Sequence, residues 1–183
     1  MTLIVPRIVI GEVGALAPAM AIPGRNSDAK NMLQPARTFF VTSRTSMSRR
    51  LLQSERNATL LIDVLRSLVA ERQIVIEDFV IMPDHFHLLL ALDERISIEK
   101  AMQLIKGRFS RRISHEFGYK GEVWQRGFSE LQVLGKESFE KHREYIAHNP
   151  VEAGLVREGE SFPYCYRTLA EQKIAGAKAL TSN

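Results

Sequence analysis

From residue 38 onward, short runs in which apolar, β-branched and polar positions alternate are separated by stretches whose apolar positions recur every three to four residues. Strands and helices are therefore expected to follow one another. "TFFVTSRT" (38–45) predicts a first strand. Between about Glu55 and Glu71, Leu61, Val64, Leu65 and Leu68 fall on one helical face, with Ser54 placed to cap the start. "IVIEDFVIM" (74–82) and "FHLLLAL" (86–92), parted by Pro83 and Asp84, predict a hairpin. Ser97 opens a second helix to about Phe117, with a buried stripe of Ile98, Met102, Ile105, Phe109, Ile113 and Phe117; Gly118 and Gly121 end it. "EVWQRGFSELQVLG" (122–135) predicts a fourth strand, irregular at Gly127. A third helix runs from about Glu137 and stops around Asn149, because the residue before Pro150 is biased away from helical angles. The order β-α-β-β-α-β followed by a helix predicts an α+β fold: a ferredoxin-like split βαβ antiparallel sheet with an added C-terminal helix.

Four of the seven prolines lie in the first 35 residues, and no period survives there, so residues 1–36 are expected to be a disordered tail. Residues 37–168 form the expected domain and 169–183 a flexible C-terminal tail. The apolar N-terminus is interrupted by Pro6, Arg7 and Glu12, which suits neither a signal peptide nor a membrane span. The single cysteine, Cys165, excludes an internal disulfide and fits a reducing cytoplasm.

Charge is concentrated rather than spread. The chain carries +4 overall, yet the span from Lys100 to Arg126 holds seven basic and two acidic residues, a local +5. Arg108, Arg111, Arg112 and His115 share one face of the second helix, and with Lys106 and Arg126 they are candidate contacts to a phosphate backbone. Trp124, Phe128, Phe162, Tyr164 and Tyr166 are candidate surfaces for stacking unpaired bases.

The hairpin contains "PDHFHLLL" (83–90). Side chains alternate across a strand, so His85 and His87 share a face while Phe86 and Leu88 turn to the opposite one. Two neighbouring imidazoles can bind one metal ion. On the third helix Tyr145 and Asn149 are four residues apart and stack on one face, so a helix docked across the sheet could aim both at the histidines. His142 and His148 on the same helix are expected to face solvent, although either could replace Asn149 as a ligand.

"VIMPDHFHLLL", "FSRRISHEFG", "EVWQRGF" and "REYIAHNPVEAGLV", in this order and at these separations, resemble the REP-associated tyrosine transposases, a branch of the single-tyrosine HUH transposase superfamily. The resemblance spans about residues 37 to 168. It implies an enzyme that nicks and rejoins single-stranded DNA near hairpins through a transient 5′-phosphotyrosine, acting as a monomer or homodimer. It also implies His85, His87 and Asn149 as ligands of Mg²⁺ or Mn²⁺, and Tyr145 as the nucleophile on a catalytic C-terminal helix. Asp84 replaces the asparagine common before the first histidine and adds a carboxylate beside the metal. The rival readings are a nucleic-acid-binding module without chemistry and a small protein whose histidines bind a structural metal.

Overall fold

A computed structural model describes residues 37–169; the expected N-terminal tail and nearly all of the C-terminal one lie outside the described residues. The elements are β1 (Arg37–Arg44), α1 (Glu55–Ala70), β2 (Val75–Ile81), β3 (His85–Leu92), α2 (Ile98–Phe117), β4 (Ser129–Val133) and α3 (Gly135–Glu152). The strands form one antiparallel sheet in the order β2-β3-β1-β4, the ferredoxin-like arrangement expected from the element order.

Alternation divides the sheet into two apolar layers. Phe39, Val41, Phe79, Ile81, Phe86, Leu88, Leu90 and Leu92 turn to one face and pack against the buried stripes of α1 and α2. On the other face Val80, Leu89 and Val133 meet Ile146 of α3, with Phe40 and Phe139 beside them. In β2 the register shifts between Ile76 and Asp78, and Glu77 is the extra residue. This shift lets Ile76 and Phe79 both face α1 and α2 while Asp78 points under α3.

Ser97 caps α2 as expected, accepting the Lys100 N–H at 3.2 Å, whereas Ser54 makes no side-chain cap on α1. Two expectations fail. The fourth strand is only Ser129–Val133: residues 122–128 form a loop joined to β1 by a single bridge between Trp124 and Thr45, and Gly127 turns it at φ 70°. The third helix does not stop at Asn149. Pro150 lies in its last turn, where only one helical hydrogen bond is forfeited, and the chain closes with the Ala153 N–H on the Asn149 carbonyl and Gly154 at φ 65°. Asn149 is consequently held in regular helix and buried instead of fraying. Among the described residues no helix is long and apolar enough to cross a membrane.

Candidate active site

The pairing of β1 with β3 sets Thr42 opposite His87 and Arg44 opposite His85, all on the α3 side of the sheet. The two imidazoles lie edge to face with centroids 4.9 Å apart. Each has its Nδ1 occupied. His85 Nδ1 lies 2.6 Å from Asp84 Oδ1, and because a carboxylate only accepts, the ring must donate there. His87 Nδ1 lies 2.7 Å from Thr42 Oγ1. Asn149 Nδ2 donates to His87 Nε2 across 3.4 Å, so His87 carries its proton on Nδ1 and gives it to Thr42. The His87 Nε2 lone pair thus faces the Asn149 amide, whose oxygen takes the place of its NH2 when the amide turns by half a turn. Burial, reinforced by His85 and Arg44, pushes the His87 pKa down to about 3, so this ring, 4% exposed, is neutral at physiological pH.

Tyr145 projects from α3 over the same spot. Its ring centroid is 5.3 Å from that of His87, and the residue is 42% exposed, so the phenol is accessible from outside. Phe40 of β1 links the parts: it stacks on His87 at 5.4 Å and 14°, meets Tyr145 edge-on at 5.7 Å, and touches His142 at 4.7 Å. His142 thus packs on Phe40 instead of facing solvent, with its Nδ1 bonded to the Ser138 carbonyl; His148 is exposed and 3.8 Å from Glu158. Neither replaces Asn149 beside His87. Beneath α3, Arg143 Nε reaches Asp78 Oδ2 at 3.2 Å. Burial raises the Asp78 pKa even though the hydrogen bonds from Arg143 and the Phe79 N–H oppose it.

The four expected site residues converge, all contributed by one chain. Among the described residues no cluster of three or more His, Cys, Asp or Glu side chains could hold a metal, and the side chain beside His87 Nε2 is the amide of Asn149. Two imidazole nitrogens and an amide oxygen fit a divalent cation, and they suit Mn²⁺ better than Mg²⁺, which prefers oxygen donors. Asp84 acts as the partner that orients His85, a role that its carboxylate and position allow. Thr42 and Phe40 are the residues that sequence reasoning missed. The period-2 pattern of β1 puts both on one face, but their pairing with His87, across 45 residues in the case of Thr42, is not encoded locally.

The expected DNA contacts on α2 fare differently. This helix covers the opposite face of the sheet from the histidines. Arg108 makes a two-bond pair with Glu71 at 2.6 and 2.7 Å, and Arg112 pairs with Glu116 at 2.6 Å. Trp124 is 6% exposed, wedged between Phe86 and Phe109, and donates to the Lys106 carbonyl at 3.1 Å, so it has no free face for a base. Lys106 instead pins the 122–128 loop through the carbonyls of Gln125 and Gly127, at 2.9 and 2.7 Å. Only Arg111 and Arg126 of this group are exposed without a recorded side-chain partner among the described residues, and the Gln125 N–H bonded to the Arg44 carbonyl at 2.9 Å keeps Arg126 near the site end of the sheet.

Thr42→Val keeps the shape at that position but removes the acceptor on Nδ1, freeing the ring to turn or to take the other tautomer. Calorimetric titration should show Mn²⁺ affinity about 10- to 100-fold weaker than in the wild type. An unchanged affinity means that Thr42 does not orient the ring.

The chain is similar to known proteins. A family model described as "Transposase IS200 like" matches residues 39–149, a span that includes His85, His87, Tyr145 and Asn149. A Haemophilus influenzae protein named after the REP-associated tyrosine transposases is 31% identical over 96 residues, 46% of this chain and 53% of that one. The transposase of insertion sequence IS200 from Salmonella typhimurium is 30% identical over 107 residues, 55% of this chain and 68% of its own. The chain thus spans only about half the length of the Haemophilus relative. A solved structure of a REP-associated tyrosine transposase bound to a REP hairpin superposes with a TM-score of 0.57 at 25% identity, covering 76% of this chain and 82% of the other. With more than half of its length matched by the family model, this chain belongs to the IS200-like transposase family.

Proposed function

We propose that this protein cuts and rejoins single-stranded DNA beside a hairpin, with Tyr145 as the nucleophile and His85, His87 and Asn149 as ligands of a divalent cation, Mn²⁺ or Mg²⁺. The observation that carries the reading is the half-exposed phenol beside a buried, neutral imidazole whose Nε2 faces the amide of Asn149. The hairpin enters from the solved relative, which is described as bound to one. The exposed Arg126 and Arg111 remain candidates for backbone contact.

The Tyr145 oxygen forms a bond to the scissile phosphorus while the bond from phosphorus to the 3′-oxygen breaks. The phenol's proton passes to solvent, and the leaving oxygen takes one up as a free 3′-hydroxyl. Attack by another DNA 3′-hydroxyl on the phosphotyrosine reverses the exchange and restores the phenol, so no external energy source is required. A bound cation supplies positive charge to the phosphate oxygens as negative charge builds on them. Phe40 and His87 hold the phenol ring against the sheet, and the bonds from Thr42 and Asp84 hold the two imidazoles in orientation.

The test is to incubate the protein with a 3′-labelled hairpin strand and Mn²⁺, then resolve the mixture under denaturing conditions. A covalent protein–DNA band is expected, absent when EDTA is present. Salt-sensitive binding with no such band on any hairpin tried would instead support the non-catalytic module.

A further inference from the structure

The ten residues that join β1 to α1 carry a feature the proposed reaction does not use. Met47 and Ser48 are not glycines, yet both sit in the left-handed region, at φ 56° and φ 50°. That conformation is costly for an L residue and persists only where the surroundings impose it. Here they do. The buried Thr45 hydroxyl donates to the Arg49 carbonyl at 2.5 Å, and Arg49 returns to the Ser46 carbonyl at 3.0 Å and to the Glu122 carbonyl. Ser46 is fixed by the Val123 carbonyl at 2.9 Å and by Glu122 at 3.0 Å.

This framework does not bury the side chain at its tip. Met47 is 89% exposed. Both ends of the loop are tied to the turn that carries the first histidine: the Thr45 N–H bonds the Asp84 carbonyl and the Leu52 N–H the Pro83 carbonyl, each at 2.8 Å. Arg44 and Arg50, on either side of Met47 in the chain, are exposed as well, Arg44 with its guanidinium 3.4 Å from Asp84 Oδ2. A strained, pinned backbone presents one apolar side chain, flanked by cations, at the histidine end of the sheet.

We propose that this loop is a nucleobase-binding site, in which Met47 packs on the face of an unpaired base next to the scissile position while Arg44 and Arg50 meet the neighbouring phosphates. The inference rests on the reading of the site as one that acts on single-stranded DNA. A soft, polarisable thioether is suited to an aromatic face, and contact with a π-face is indifferent to which base supplies it. A lone exposed methionine is far too small for a protein interface, which needs some 20 residues on each side.

Glycine at position 47 adopts the left-handed conformation without strain, so this substitution separates folding from binding. Full-length Met47→Gly should melt at or above the wild-type temperature. Its affinity for a fluorescein-labelled hairpin with a single-stranded flank, read by anisotropy, should nevertheless fall about tenfold. Met47→Leu should recover most of the loss. With 2-aminopurine placed in turn along the flank, wild-type protein should change the fluorescence at one position, and Met47→Gly should erase that change. If Met47→Gly binds as tightly as wild type and leaves the fluorescence profile intact, the proposal is wrong. Binding is read without strand cleavage, so the two readings fail separately. A wild type that forms the covalent band while Met47→Gly binds normally sinks only the loop, and one that binds through Met47 but never forms the band sinks only the chemistry. Failure of the wild type to bind any hairpin overturns both.

Discussion

Tyr145→Phe should bind a labelled hairpin strand within about twofold of the wild type and form no covalent adduct, a loss of at least about 10³-fold in the yield of the phosphotyrosine band. The substitution removes one oxygen and little else. The ring's edge-on contact with Phe40 and its packing against His87 are apolar and remain available to phenylalanine. The lost hydroxyl makes no recorded hydrogen bond, and the residue is 42% exposed, so the fold should not suffer. Loss of a nucleophile that acts covalently has no partial substitute, because no other hydroxyl-bearing aromatic residue stands beside His87 among the described residues. Denaturing electrophoresis of the variant with 3′-labelled DNA and Mn²⁺ decides the matter: an adduct of wild-type yield would move the nucleophile to another residue.

The largest effect on stability should come from Arg143→Met. Asp78 is 2% exposed, and Arg143 is its only ion-pair partner among the described residues. Removing one member of a buried pair strands the other, at a cost of about 3 kcal/mol at neutral pH. The pH dependence identifies the cause. Desolvation already lifts the folded-state pKa of Asp78 above the ordinary carboxylate value, and Arg143 holds that rise in check. Without Arg143 the folded protein binds a proton more tightly still, while the unfolded chain does not. Stability must then rise as pH falls through the window between the ordinary and the raised pKa. Thermal melts should accordingly show a deficit relative to wild type that is large at pH 8 and distinctly smaller at pH 5. Asp78→Asn in the same chain should recover part of the pH 8 loss by removing the stranded charge. A deficit equal at both pH values would mean that lost packing on Phe139, 5.9 Å from the guanidinium, is responsible instead.

How much of this was readable beforehand follows from the range of the interactions. The face shared by His85 and His87 comes from alternation alone, and the shared face of Tyr145 and Asn149 comes from helical spacing, so both pairs were visible within a few residues of sequence. The docking of α3 over the histidines depends on contacts far apart in the chain, among them Arg143 with Asp78 at a separation of 65 residues. The placement of the basic residues of α2 depends on distant contacts in the same way. Their spacing identifies a polar face, but which side of the sheet the helix covers is decided by its apolar stripe meeting Phe86 and Leu88. Trp124 misled because its neighbours in the chain are polar, while its neighbours in space are Phe86 and Phe109. Pro150 does not stop the helix, because a helix can carry proline where the bond it deletes belongs to the final turn.

The phenylalanine at position 40 touches a prospective ligand on one side and the prospective nucleophile on the other. It therefore completes a three-ring cluster in which His87 and Tyr145 also touch each other, with centroids 5.3 Å apart. Any residue of different girth there would move Tyr145 and His87 together. Anyone seeking to retune the site's proposed reach toward a phosphate would begin with a side chain that takes no part in bond making.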